Sequence, residues 1–265
     1  MKQETVPFTV TLLGTGTSTG VPLLLCECKV CRSKNPKNQR TRASAWIRSK
    51  TTSLIIDTSS DFRAQALRYK IQTIDGVLFT HPHSDHISGM DDLRAYNFVQ
   101  KNRIPLYGNE WTCHDLPGRF PYIFNHDGPV EGGGIPRLDL NLLPTPYSQF
   151  HLGDLPILPI SVSHGSKECV AYRIDSFAYL TDCSYIPQNS IEQLKNLDVL
   201  ILDCVRIKPH RTHLNLSAAL DVVNTLRPKR TFLTHLGHEF DHQIWQRKLP
   251  KGVQLAYDGQ KLKIG

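Results

Sequence analysis

The stretch HPHSDH, residues 81–86, gathers four metal-binding side chains within six positions. It follows residues 76–80, a short apolar run rich in β-formers that predicts a buried strand. Pro82 excludes a helix interior, so the histidines on either side of it leave the extended chain in the same direction. The aspartate and histidine that end the stretch follow where the chain turns. One loop therefore offers donors to two neighbouring divalent ions, and this donor set suits Zn²⁺ or Mn²⁺.

The composition is typical of a folded protein with a substantial core. The chain has 265 residues, and 40% of them are hydrophobic. No apolar run approaches the ~20 residues that span a bilayer, and the N-terminus lacks an apolar signal region. We therefore expect a cytoplasmic protein without a membrane partner. The seven cysteines are an odd number, which favours thiols or metal ligands over a disulfide framework.

The formal net charge of +7 favours an anionic partner. The positive residues are scattered, and only residues 29–48 are locally basic. A solvated loop explains that segment as well as an RNA-binding arm does, so nucleic acid stays open as a partner but is not favoured over a small phosphodiester. The oligomeric state also stays open, a homodimer included.

The order of predicted elements indicates two packed sheets covered by helices. Residues 8–13 predict a first strand, which runs into a loop of glycines and hydroxyls at 14–20. A helix is predicted over 87–100, and the second half again alternates strands with helices. No linker is evident, so residues 1–265 are interpreted as one domain. It contains a Cys-rich insert at about 26–31 and a Gly- and Pro-rich insertion or lid at about 108–150.

Three further candidate ligands stand where apolar runs stop. His164 ends the run 157–163, Asp182 ends 178–181, and His235 ends 231–234. A polar residue at a strand end is ordinary when taken alone. Together with residues 81–86, these three complete a set of five histidines and two aspartates.

This set resembles the metallo-β-lactamase superfamily, which implies an α+β fold, the four-layer αββα sandwich. The resemblance also includes the glycine-rich loop near the N-terminus and Asp57, which it places behind the metal ligands rather than among them. By the resemblance, one metal is held by His81, His83 and His164, the other by Asp85, His86 and His235, and Asp182 bridges them.

A second cluster, Cys26, Cys28 and Cys31, places three thiols close enough to share one tetrahedral structural Zn²⁺, with a fourth ligand from elsewhere. This C-x-C-x-x-C insert resembles the phosphoribosyl cyclic-phosphate phosphodiesterases of the carbon–phosphorus lyase pathway. In that group the fourth ligand lies three residues after the last active-site histidine. The resemblance therefore implies His238.

The resulting hypothesis is a metal-dependent phosphodiesterase that hydrolyses a cyclic phosphate or nucleotide-type phosphodiester through a hydroxide bridging two metals, Zn or Mn. His213 and Asp85 are the candidate catalytic residues. The resemblance places a catalytic histidine at position 213, whose role would be to protonate the leaving group. His210 is the alternative for that role. Arg94 is a candidate phosphate contact, although a salt bridge on a helix surface explains it equally well.

Three other functions share parts of this pattern. A transfer-RNA 3′-processing endonuclease shares the histidine core, but the chain shows no long arm for the RNA. A β-lactam or thioester hydrolase fits two carboxylate ligands less well. A non-catalytic zinc-binding nucleic-acid adaptor would account for the three cysteines. It would not account for the other seven candidate ligands, which are the five histidines and two aspartates.

Overall fold

The computed structural model describes residues 6–125 and 134–265. Its described strands form two seven-stranded sheets. The first sheet has the order β14-β1-β2-β3-β4-β5-β6, antiparallel from β14 to β3 and parallel from β3 to β6. Its strands are β1 (Phe8–Gly14), β2 (Ser44–Arg48), β3 (Ser53–Ile56), β4 (Gly76–Leu78), β5 (Ile104–Gly108), β6 (Leu138–Leu142) and β14 (Lys261–Ile264).

The second sheet repeats this plan in the order β13-β12-β11-β10-β9-β8-β7. It is antiparallel from β7 to β10 and parallel from β10 to β13. Its strands are β7 (Phe150–Leu152), β8 (Leu155–His164), β9 (Lys167–Ile174), β10 (Phe177–Leu180), β11 (Val199–Asp203), β12 (Arg230–Thr234) and β13 (Val253–Leu255).

Helices join these strands, and several begin at an asparagine or aspartate cap. Asn109, Asn215 and Asp241 each accept a hydrogen bond from a backbone N–H of the first turn that follows them. The α-helices of the described chain are α1 (Phe62–Tyr69), α2 (Ser84–Ile87), α3 (Arg94–Gln100), α4 (Glu110–Arg119), α5 (Pro121–Phe124), α6 (Gln188–Gln193), α7 (Leu216–Leu226) and α8 (His242–Gln246).

Three hydrophobic clusters separate four layers. The central cluster joins the inner faces of the two sheets, where Val10 and Ile56 of one meet Tyr172 and Ile201 of the other. A second cluster packs the outer face of the first sheet against α1, α3 and α4. A third packs the outer face of the second sheet against α6 and α7. The predicted α+β fold, an αββα sandwich, is confirmed.

The single helix predicted over residues 87–100 is wrong. The segment forms α2, a 3-10 turn over Met90–Leu93, and α3. The break comes at Gly89, whose N–H donates to the Thr58 carbonyl oxygen at 2.9 Å, and a Cβ atom there would lie 2.3 Å from the Ser59 carbonyl oxygen. This close approach to residues 58 and 59 accounts for the glycine, and the long-range hydrogen bond takes its N–H out of a continuous helix.

The segment predicted as an insertion, residues 108–150, contributes regular structure where it is described. It supplies α4, α5 and β6, which extends the first sheet beside β5. Residues 126–133, which hold two of the three consecutive glycines, lie outside the described residues. The interpretation as an insertion in one domain of residues 1–265 stays a prediction. Across 6–125 and 134–265, every helix is too short or too polar to cross a bilayer.

Candidate metal centre

The first predicted ligand group comes together at the ends of β4 and β8. One ligand atom each from His81, His83 and His164 lies within 4.8 Å of the others. His81 Nε2 lies 2.8 Å from His83 Nδ1. His164 donates from Nδ1 to the Thr212 carbonyl oxygen at 2.7 Å, which leaves its other ring nitrogen for this group. We call these three residues the histidine cluster.

The second group gathers Asp85, His86, Asp182 and His235, again with one atom of each within 4.8 Å of the others. His86 Nε2 lies 3.2 Å from an Asp85 oxygen and 3.1 Å from an Asp182 oxygen. His235 Nε2 lies 3.4 Å from Asp182. We call these four residues the mixed cluster.

Asp182 lies between the two clusters and turns one carboxylate oxygen to each. Its Oδ1 lies 3.7 Å from His81 Nε2, whereas its Oδ2 lies 3.1 Å from His86 Nε2. The residue is 2% exposed, so water does not solvate this carboxylate freely. Such a placement allows one carboxylate to serve two cations at once.

The local backbone at three site residues is unusual. Asp57, Asp182 and His235 each follow the end of a strand with a positive φ, at 61°, 51° and 57°. Non-glycine residues rarely adopt this left-handed conformation, and it concentrates at functional sites. The unusual backbone at all three residues supports a functional role for this centre.

Asp57 supports the centre from behind, as the resemblance implies. It accepts hydrogen bonds from Thr80 N and Thr80 Oγ1, both at 2.8 Å, and one of its oxygens lies 2.7 Å from His86 Nδ1. Burial raises the pKa of this carboxyl group, and the His86 imidazole opposes that rise. Thr80 also contacts His81 Nδ1 at 3.0 Å, so one threonine links both clusters to Asp57.

The carboxylates of the mixed cluster favour positive charge on the groups beside them. Burial opposes ionisation of Asp85, but the neighbouring His86 outweighs it and holds the pKa of the carboxyl below its usual range. Burial likewise lowers the pKa of His86 and His235. The effect of the surrounding carboxylates is larger than that of burial. They raise the pKa of His86 well above its ordinary value and that of His235 to about 9. Cations would supply the charge that these imidazoles otherwise take up as protons.

The donors fit divalent ions in a further way. His86 Nε2 and His235 Nε2 are buried and have no hydrogen bond of acceptable geometry among the described residues. Buried polar atoms are normally satisfied, so two orphaned imidazole nitrogens facing carboxylates indicate that a partner belongs there. Nitrogen and carboxylate oxygen donors are those of Zn²⁺ and Mn²⁺ sites.

A separate cluster joins the N-terminal loop to the segment after β12. His238 Nδ1 lies 3.2 Å from Cys26 Sγ, 3.7 Å from Cys28 Sγ and 3.5 Å from Cys31 Sγ. The backbone N–H of Cys31 lowers the pKa of Cys28 to about 6, whereas burial raises that of Cys31 to about 11. We call these four residues the cysteine cluster.

His213 lies beside the centre, and the ring of His210 lies 5.0 Å from that of His213. His213 Nε2 is 3.8 Å from Asp182 Oδ1, and its ring is 4.8 Å from that of His235. His210 Nδ1 instead accepts a hydrogen bond from the Thr212 N–H within its own loop. Arg94 pairs with Asp91 at 3.5 Å on an exposed surface.

The sequence reasoning missed Asp203. This buried residue ends β11, with Oδ1 3.3 Å from His213 Nδ1 and 3.6 Å from His235 Nδ1. Its other oxygen accepts from the Leu214 N–H at 2.9 Å. The signal was the one that identified His164, Asp182 and His235, namely a polar residue where a strand stops.

Comparison with known proteins identifies the family. The Beta-lactamase superfamily domain matches residues 52–236. A structure described as a new diphosphatase from the PhnP family superposes with a TM-score of 0.90 and 40% identity, covering 97% of each chain. Among curated relatives, an octanoyltransferase of Porphyromonas gingivalis is 36% identical over 94% of this chain and 50% of its own length. The exodeoxyribonuclease WalJ of Streptococcus pneumoniae is 27% identical over 64% of this chain and 66% of its own length.

This chain thus spans between one half and two thirds of those two curated relatives. The family match covers well over half of the chain, and the diphosphatase matches it along almost all of its length. The chain therefore belongs to the metallo-β-lactamase superfamily and is a member of its PhnP group of metal-dependent hydrolases.

Proposed function

We propose that the chain is a phosphodiesterase that hydrolyses a cyclic phosphate or a nucleotide-type phosphodiester with the aid of two divalent metals. The observation that carries this proposal is the position of Asp182, whose two oxygens face two adjoining donor clusters. The similarity to a diphosphatase and to an exodeoxyribonuclease, both of which act on phosphate esters or anhydrides, supports the reaction class.

The histidine cluster would hold one ion and the mixed cluster the other, with Asp182 shared between them. When bound, the two ions would acidify water and offset the charge of a phosphate group. Asp85 and Asp182 return only two negative charges against the four positive charges of two divalent ions. The loaded site would therefore attract an anionic substrate.

Among the chain's own residues, His213 would supply the proton that the leaving group needs. Asp203 faces Nδ1 of His213, so the proton on that atom has a fixed partner and Nε2 is left directed toward Asp182. A protonated Nε2 in this position can donate to the oxygen that leaves phosphorus. We assign this task to His213 rather than His210, whose Nδ1 is held by Thr212.

The cysteine cluster would hold a structural Zn²⁺ with four ligands and no open position. Three sulfurs and one imidazole nitrogen, grouped within 4.8 Å, have the composition and number that such a site requires. Its ligands come from residues 26–31 and from His238. The ion would fasten the N-terminal loop beside the proposed catalytic centre.

The test is turnover of a substrate panel after reconstitution with Zn²⁺ or Mn²⁺. The panel holds 2′,3′-cyclic nucleotides, ribose cyclic phosphates, bis-p-nitrophenyl phosphate and a precursor transfer RNA. We expect hydrolysis of the small phosphodiesters, and we expect Asp182→Ala to abolish it. Asp175→Ala is the matched control, because Asp175 shares the positive φ, at 50°, in the turn between β9 and β10.

Cleavage of the precursor transfer RNA alone would instead establish the endonuclease. A protein that binds one ion per chain and turns over none of the panel would be the zinc-binding adaptor. Either result would overturn the proposal.

A further inference from the structure

Trp111 borders the histidine cluster but has no part in the proposed metal binding. It lies in the first turn of α4, half-buried, with its ring 6.0 Å from the ring of His81. The His83 ring lies 5.4 Å away and is perpendicular to it. A large aromatic surface thus adjoins the place where a phosphate would sit.

Lys167 covers one face of this indole. Its Nζ lies 5.6 Å from the ring centroid, and the side chain is exposed. A lysine over an aromatic ring is a weak contact at an exposed site, and its flexible stem can move aside. Trp111 also packs against the hydrophobic cluster of the second sheet. Movement of the lysine stem would uncover the ring face beneath it for another flat group, and the ammonium could turn to a neighbouring anion.

Asn109 holds the indole and the lysine together. Its Oδ1 caps α4 by accepting from the Thr112 N–H at 3.0 Å. Its Nδ2 donates to the Glu168 carbonyl oxygen at 3.1 Å, next to Lys167. One side chain thus fixes the start of the helix that carries Trp111 to the strand β9 that carries Lys167. The fold therefore fixes the backbone positions of Trp111 and Lys167 relative to each other, while the lysine side chain stays free to move.

We propose that Trp111 and Lys167 form a base-binding subsite, which makes a nucleoside phosphodiester the substrate class of this centre. The aromatic base would stack on the indole, as bases stack on aromatic side chains elsewhere, and Lys167 would pair with a further phosphate or sugar oxygen. A sugar phosphate without a base would leave the indole unused. This inference rests on the proposed phosphodiesterase function.

Intrinsic fluorescence tests the subsite without reference to turnover. The chain has three tryptophans, namely Trp46, Trp111 and Trp245. We expect adenosine 5′-monophosphate, but not ribose 5-phosphate, to quench the metal-loaded protein, and Trp111→Phe to remove most of the quenching. Trp245→Phe is the matched control, because Trp245 is also half-buried and has Lys248 Nζ 4.7 Å from its ring centroid.

A kinetic ratio gives the second readout. The ratio compares kcat/KM for adenosine 2′,3′-cyclic phosphate with that for methyl riboside 2,3-cyclic phosphate, which has no base. We expect Trp111→Leu to lower this ratio about tenfold, as stacking energies per base imply, and Trp245→Leu to leave it unchanged. Quenching that survives in Trp111→Phe, or a ratio unchanged in Trp111→Leu, would overturn the subsite. If nucleotide quenching depends on Trp111 but the protein hydrolyses neither ester, the base-binding subsite is supported and the proposed phosphodiesterase function is refuted.

Discussion

The Nδ1 atom of His213 lies 3.3 Å from Oδ1 of Asp203, a buried carboxylate at the end of β11. The same oxygen lies 3.6 Å from Nδ1 of His235. Asp203 therefore faces the rear nitrogens of two imidazoles whose other nitrogens point toward Asp182. The 3.3 Å contact orients the His213 ring, whereas Nδ1 of His235 forms no hydrogen bond with the residues that the structure describes.

Removing the imidazole of residue 213 should separate chemistry from metal binding. We expect His213→Ala to lower kcat by about 10²-fold or more while the metal content stays near that of the unsubstituted protein. His210→Ala should have a much smaller effect, because that side chain bonds within its own loop. Steady-state kinetics with elemental analysis on the same samples is the measurement. Equal losses in both variants, or loss of metal from His213→Ala, would refute the assignment.

Asp203→Asn tests the positioning role. The amide preserves size but changes the hydrogen bond that it offers to His213, so the proton on the imidazole is held less well. We expect kcat to fall about tenfold or more, with KM changed little, because Asp203 lies behind the imidazoles that border the site. A rise in KM with an unchanged kcat would show that Asp203 instead shapes substrate binding.

The cysteine cluster predicts a stability effect rather than a chemical one. Cys28→Ser should release one zinc per chain and lower the melting temperature, because this ligand ties residues 26–31 to His238. Cys113→Ser is the control, since the contacts of Cys113 Sγ within the described chain are backbone oxygens of residues 108 and 141. Unchanged zinc content in Cys28→Ser would show that the cluster does not hold the ion.

Chelation should destabilise the whole fold. Removing every ion would leave Asp182 and the imidazoles of His86 and His235 buried without cations. We expect the melting temperature to fall on exhaustive chelation and to recover only when about three ions per chain are restored, two at the centre and one at the cysteine cluster. Recovery with one ion would mean that the histidine and mixed clusters bind none.

Asp258 predicts a pH dependence outside the metal sites. It accepts hydrogen bonds from Thr15 and Thr41, and burial raises its pKa to about 6. Between about pH 4 and pH 6 the unfolded chain has released this proton and the folded chain still holds it. The free energy of unfolding therefore falls as pH rises through that window. Because Asp258 is partly exposed, we expect about 1–2 kcal/mol.

The asparagine side chain of the Asp258→Asn variant does not titrate. The free energy of unfolding of this variant should therefore not fall between about pH 4 and pH 6 on account of residue 258. Denaturation of both proteins at pH 4, 5, 6 and 7 is the measurement. The stability of the asparagine variant relative to aspartate should increase up to pH 6 and then level off. A difference that stays constant across the window would contradict the prediction.

Much of the site was visible in the sequence because its donors cluster or end predicted strands. The loop at 81–86 needs no tertiary information, and three more candidate ligands stand at strand ends. The role of Asp203 depends on its tertiary contact with His213, which the local sequence does not show. Strand β14 pairs with β1 across nearly the whole chain, and the helix break at Gly89 depends on contact with residue 59. Such long-range contacts leave little trace in local periodicity.

His235 and His238 occupy one short turn, with Gly237 hydrogen-bonded to Val205 between them. The first faces the mixed cluster and the second faces the cysteine cluster. If the cysteine cluster holds a zinc ion, its loss would loosen residues 26–31 and shift His235, so the proposed structural site would govern the geometry of the proposed catalytic centre. Activity would then respond to the supply of zinc even where a different divalent metal fills the centre.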